Sequence, residues 1–325
     1  VTSHLALGPG TEFDRIRAII AALGQAGQGL GGDCALLPAG SGTLALSTDT
    51  SVEGVHFRRE WLNPEEVGWR AAAAALSDLA ATGAIPVGVL AAVTLPENAP
   101  ADDVVGLMRG VGAAAAAMGG AVLGGDLSRG PGWSVTVTVL GRAARPVTRA
   151  GARPGDRLWV TGTLGGARAA VACWQRGDEP PPDARRAFAH PEPRIAAGLK
   201  LADLGARAML DVSDGLGGDA RHLAAASEVA LVIELERVPV APAARAVAAR
   251  SGSVAEVFAA EGGEDYELLV ALPPLFGERD AVELSHACGV ALTLIGNVRE
   301  GAGVRFAHHG NDLPLRGWDH FANVR

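Results

Sequence analysis

The chain has 325 residues, a net charge of −8 at neutral pH and a pI of about 5.5, which argues against a broad nucleic-acid-binding surface, because such surfaces are basic. Hydrophobic residues make up 48% and charged residues 20%, the balance of a globular protein long enough for two domains. No apolar run reaches the roughly 18 residues of a membrane span. No signal peptide is read at the amino end, which begins at Val1, so the expected compartment is the cytoplasm. Cys34, Cys173 and Cys288 are far apart and odd in number. They fit neither a disulfide framework nor a paired zinc site, and read as small buried hydrophobes in a reducing compartment.

Taken along the chain, Phe13, Ile16, Ile19, Ile20 and Leu23 recur at helical spacing and predict an amphipathic first helix. A glycine-rich stretch then leads into GGDCALL. LALSTDTSVEGVHF, residues 44–57, reads as a short apolar strand that ends in a polar loop at Ser47-Thr48-Asp49. NPEEVGWRAAAAALSDLAATG carries helix start signals at Asn63, Pro64, Glu65 and Glu66, and a stop at Gly83. A strand (VGVLAAVTLP), a helix over 101–118, a strand breaking into a loop (AVLGGD) and a half-buried alternating strand (WSVTVTVLG) follow.

RPVTRAGARPGD, rich in Pro, Gly and Arg, marks the expected boundary, giving domains over residues 1–145 and 146–325. Beyond it, VTGTLGG suggests a tight turn between strand and helix, and it lacks the lysine of a P-loop. Helix and strand then alternate through AMLDVSDGLGGDARHLAAAS, ALVIEL, YELLVAL and VALTLIGNV.

The carboxylates carry the chemistry. Asp33, Asp49, Asp126, Asp211 and Asp214 fall at predicted strand ends or beside glycine turns. Asp78 instead lies inside an apolar helix, where a carboxylate needs a partner. Hard cations such as magnesium take oxygen ligands, so aspartates from separate segments suit a cluster of several magnesium ions. The hydroxyls of Ser47, Thr48 and Ser213 are available to supplement them. Asp214 is equally placed to cap a helix starting at Gly215.

GGDCALL, STDTSVEGVHF, LSDLAATGA, GGDLSRGP, TRAGARPGD, DVSDGL, GGEDYELL and GWDHF occur in that order between residues 31 and 321. Together they resemble the thiamine-monophosphate kinase family, of the aminoimidazole-ribonucleotide-synthetase-like superfamily. The resemblance implies an α/β N-terminal domain that binds ATP and magnesium and dimerises through its sheet, followed by an α+β C-terminal domain. It implies ATP-dependent phosphorylation of thiamine monophosphate to thiamine diphosphate by a homodimer. By motif, Asp33, Ser47, Thr48, Asp49, Asp78, Asp126, Asp211 and Asp214 would be magnesium ligands. Gly125, Asp126, Arg149 and Ser213 would meet ATP, and His56, Glu264 and Trp318 the thiamine phosphate. The chain departs from the family pattern at Gly32, where an aspartate is usual, and at Ala75 and Thr82.

Both reactants carry phosphates, and a phosphate monoester is mostly dianionic at neutral pH. The attacking oxygen therefore needs no general base, and no residue is assigned that role. Two other readings stand beside this one: an ATP-dependent synthetase or maturation enzyme of the same superfamily, and a non-catalytic nucleotide-binding protein. The six motif aspartates and the EGVHF and GWDHF stretches favour the kinase.

Overall fold

The computed structural model describes residues 6–23, 31–40 and 42–319. Its first sheet has the order β1-β2-β5-β3-β4, built from β1 (Ala35–Ala39), β2 (Gly42–Val52), β3 (Ile85–Leu95), β4 (Val122–Arg129) and β5 (Ser134–Ala143). Only β3 and β4 pair in parallel, and α3 (Ala101–Ala117) makes the crossover between them. Side chains alternate across this sheet as the strand period of two requires. Val135, Val137 and Val139 are fully buried on its inner face, while Thr50 and Thr136 bond to each other on the outer face.

Against the inner face lies α2 (Pro64–Thr82). Its start is fixed by a reciprocal cap: Asn63 Oδ1 accepts from Glu66 N at 2.9 Å, and Glu66 Oε2 accepts from Asn63 N at 3.0 Å. Gly83, at φ 66°, ends it in the left-handed region. The helix is buried almost all round, which explains its alanines: small side chains let it pass between several neighbours. It meets α3 at backbone contact, since a Cβ on Gly68 would lie 1.9 Å from the Leu107 carbonyl and one on Gly110 1.9 Å from that of Glu65.

The second sheet has the order β12-β11-β8-β10-β6-β9-β7. Its strands are β6 (Arg157–Thr161), β7 (Ala208–Val212), β8 (Ala230–Glu234), β9 (Glu267–Leu272), β10 (Leu292–Arg299), β11 (Gly303–His308) and β12 (Asn311–Asp312). Only β8 and β11 pair in parallel. Strands β7 and β9 are buried along their whole length, so their apolar runs are continuous rather than alternating. Around this sheet lie α4 (Gly166–Gln175), α5 (Pro182–Ala189), α6 (Ile195–Asp203), α7 (Leu216–Ser227), α8 (Pro242–Ser251), α9 (Ala255–Ala260) and α10 (Glu278–Cys288).

Two expected strand ends are corrected. β2 does not stop at Ser47 but runs to Val52, and β4 continues through Gly124, Gly125 and Asp126 to Arg129. Asp49 and Asp126 are therefore strand residues, not loop residues. The first helix, α1 (Thr11–Leu23), forms where expected, but its apolar stripe is only partly covered: Phe13 packs on His222, whereas Ile19 is exposed. Cys34, Cys173 and Cys288 are free thiols, the first two buried. Among the described residues no helix is long and apolar enough to cross a membrane.

Candidate active site

The two sheets meet at a cluster of carboxylates. Because β2 alternates, Ser47 and Asp49 face inward toward α2, and the Ser47 hydroxyl donates to Asp78 Oδ2. Asp78, near the end of α2, lies between β2 and Asp211 of β7, while Asp33 precedes β1. Asp33, Asp78 and Asp211 each bring an oxygen within 4.8 Å of the other two. Thr48 does not join them. Its hydroxyl lies on the opposite face of β2, against Thr138, which corrects the expectation that it supplements the cluster with that group. Arg149 approaches from the other side, donating from Nε and Nη2 to Asp33 Oδ1 at 3.1 and 2.7 Å.

Four acids facing one guanidinium leave an excess of buried negative charge. Loss of hydration, with repulsion from Asp33 second, raises the Asp49 carboxyl to about 6 and that of Asp211 to about 7. Burial, then Asp49, Asp211 and Asp33 in turn, holds Asp78 well above the usual carboxylate range. An all-oxygen donor set drawn from separate elements, and destabilised by its own charge, fits a hard divalent cation such as magnesium.

A pH dependence follows from the raised values. Between about pH 4 and 7 the folded chain holds protons at Asp49 and Asp211 that the unfolded chain has released. These groups therefore make the metal-free protein less stable as pH rises through that window. Melting curves at pH 5 and 7.5 should show a smaller loss in Asp211→Asn than in wild type. Magnesium should stabilise wild type more at pH 7.5 than at pH 5. Equal losses in both proteins would remove Asp211 from the cluster.

Beside the carboxylates, two segments far apart in sequence converge on Ser213 and Asp214. The Ser213 carbonyl accepts from Glu264 N at 2.6 Å, and the Asp214 carbonyl accepts from Trp318 N at 2.8 Å. The cap position of α7 is Gly215, which offers no side chain. The loop is instead held by Asp219, whose Oδ2 accepts from Asp214 N at 3.1 Å. Glu264 has φ 69°, a strained value for a side chain of its size. Its carboxylate pairs with Arg70, which is buried in α2 and donates to the Phe188 carbonyl at 2.6 Å. Trp318 is 52% exposed. His56 is half-buried in the turn after β2, where its Nδ1 accepts from Val52 N at 3.1 Å. The VTGTLGG stretch is a structural turn, with Gly165 N donating to the Asp265 carboxylate at 2.9 Å.

Two family models match the chain: AIR synthase related protein, N-terminal domain, over residues 31–143, and its C-terminal domain over 153–309. The thiamine-monophosphate kinase of Escherichia coli O157:H7 is 37% identical over 329 residues, covering 95% of this chain and 96% of that protein. The chain belongs to the thiamine-monophosphate kinase family. The solved structure of AaThiL complexed with AMPPCP and TMP superposes with a TM-score of 0.86 at 33% identity, covering 96% of this chain and 97% of that one. The thiamine-monophosphate kinase of Stenotrophomonas maltophilia K279a gives a TM-score of 0.76 at 35% identity, over 96% of this chain and all of its own. The two-domain, mixed α/β architecture is that of this family.

Two residues expected at the site lie elsewhere in the single chain. Asp126 stands on exposed β4, in register with Ala92, Thr136 and Thr50. That row is on the outer face, opposite Asp49, and β4 is three strand spacings from β2, about 14 Å. Gly125 has a local reason to be glycine, since a Cβ there would lie 2.0 Å from the Ala91 carbonyl of β3. Conversely, the sequence reading missed Asp219 and Arg70, the side chains that hold the Ser213–Asp214 loop and Glu264.

Proposed function

We propose that the chain works as a homodimer in which each copy transfers the γ-phosphoryl group of ATP directly, in line, to the phosphate of thiamine monophosphate. The observation that carries this reading is the convergence of Asp33, Asp49, Asp78 and Asp211 beside the Ser213–Asp214 loop. A relative of the same fold has been solved with AMPPCP, an ATP analogue, and TMP together.

Asp33, Ser47, Asp49, Asp78, Asp211 and Asp214 would hold several magnesium ions, with Asp126 supplied by the second copy. The Thr48 hydroxyl, facing the other way, is left out. Bound there, magnesium would neutralise two polyanions that otherwise repel each other and stabilise charge on the transferred group. The chain's own residues position the reactants. Arg149 supplies a fixed charge toward ATP, and Ser213 completes that side together with the Gly125 backbone of the second copy. His56 and Glu264 orient the thiamine phosphate, and Trp318 offers an aromatic face to its thiazolium cation, an attraction of roughly 0.5 to 2 kcal/mol. No residue removes a proton, because the acceptor phosphate is already a dianion.

Two features support the dimer. β1 pairs with β2 only from Gly42 to Leu46, and β4 ends the sheet on the other side, so two copies can join edge to edge. Ile85, Leu90, Leu123 and Leu127 on β3 and β4 are all at least 45% exposed, apolar surface that a partner would cover. On this reading residues 1–145 form the ATP-binding and dimerisation domain and residues 146–325 the second domain. The reaction belongs in the cytoplasm, where ATP is available and the three thiols stay reduced.

Incubation with ATP, magnesium and thiamine monophosphate should yield thiamine diphosphate and ADP. Free thiamine should be a poor substrate, since it lacks the nucleophilic phosphate. Better turnover of free thiamine would overturn direct transfer.

A further inference from the structure

The two ends of the described chain meet over α7. Thr11 N donates to Asp319 Oδ2 at 2.5 Å and Glu12 N to Asp319 Oδ1 at 3.3 Å. A carboxylate on the opening amides of a helix satisfies donors that have no intrahelical partner and complements the helix dipole. Asp319 thus caps α1 from the far end of the sequence. The same helix is tied to α7 by Phe13, whose ring lies 3.8 Å from that of buried His222. His222 Nδ1 accepts from Gly8 N at 3.2 Å, and Arg17 donates to the Gly8 carbonyl at 2.8 Å. The tail is tied to α7 as well, through Arg221 and the Leu315 carbonyl.

Trp318 lies between two of these anchors. On one side its own N–H meets the Asp214 carbonyl at 2.8 Å, and on the other the next residue caps α1. We infer that Asp319 is a positioning residue: by capping α1 it pins the tail on both sides of Trp318 and so fixes the indole for the thiamine ring. α1 is in this way part of the substrate site without touching substrate. The inference rests on the proposed contact between Trp318 and thiamine monophosphate.

The test uses the full chain with three substitutions, Asp319→Ala, Asp319→Asn and Trp318→Ala, and steady-state kinetics with each substrate varied in turn. Asp319→Ala should raise the KM for thiamine monophosphate about fivefold, the weight of one lost cap of about 1 kcal/mol, with the KM for ATP and kcat within twofold of wild type. Asparagine offers one acceptor oxygen where aspartate offers two. Asp319→Asn therefore keeps the closer bond to Thr11 N, loses the one to Glu12 N, and should recover part of the loss, leaving the KM about twofold above wild type. Amide exchange should quicken at both Thr11 and Glu12 in Asp319→Ala, and at Glu12 alone in Asp319→Asn.

Trp318→Ala should raise the same KM at least as far. If it does while Asp319→Ala leaves KM unchanged, the positioning role is wrong and the Trp318 contact survives. If Trp318→Ala itself leaves KM unchanged, both fall. A uniform loss for both substrates with a lower melting temperature, or a KM in Asp319→Asn no lower than in Asp319→Ala, would reduce Asp319 to a structural cap.

Discussion

Asp78→Asn should lower kcat by about 10²- to 10³-fold, the usual cost of removing one group that stabilises charge in the transition state, and should raise the melting temperature of the metal-free protein. The two effects have one cause. Asp78 is forced among Asp33, Asp49 and Asp211, where burial and repulsion already oppose its charge. An amide of the same shape removes that repulsion, so the metal-free fold gains. On the proposed metal site it also removes a ligand, so the stabilisation conferred by magnesium should shrink. The amide keeps a polar atom for the Ser47 hydroxyl, so the local packing survives. The measurement is kcat across a magnesium titration, with melting curves in the presence and absence of the ion. Wild-type turnover at ordinary magnesium would sink the metal-site assignment. A fold that collapses on this substitution would make Asp78 a structural residue instead.

Much of this site was legible because a buried charge has few explanations. Asp78 stood out in an alanine-rich helix, and the structure puts it at the centre of the cluster. The same argument applies to Arg70, eight residues earlier on the same buried helix, and would have pointed to its pairing with Glu264. The helix ends were legible for another reason: Asn63, Glu66 and Gly83 act within a few residues of themselves. What the sequence hid depends on pairing across strands. β2 looked finished at Ser47 because its next residues are polar. Yet Thr48 and Thr50 find Thr138 and Thr136 on the neighbouring strand, and a strand with hydroxyls along one face stays a strand. Asp219 was hidden because the loop it holds is assembled from three distant segments. Motif order placed Asp126 at the site, but the face of a strand follows from register, which order along the chain does not reveal.

Mixing two inactive variants should restore activity. Asp78→Asn and Asp126→Asn should each be nearly inactive alone. In one chain Asp126 lies on the outer face of β4, across the sheet from Asp49 and turned away from it. On the proposed dimer, its carboxylate would serve the cluster from the second copy, at the edge of β2 beyond Leu46 that β1 leaves unpaired. In a mixed dimer one site then carries both substitutions and the other carries neither. Random exchange at equal concentrations makes half the dimers mixed, with one intact site of two, so activity should recover to about a quarter of wild type. The mixture is denatured and refolded together, assayed with saturating ATP, magnesium and thiamine monophosphate, and compared with each variant refolded alone. Were Asp126 to act within its own chain, every site in the mixture would lack one carboxylate. Activity would then stay at the level of the separate variants, however completely the subunits exchanged.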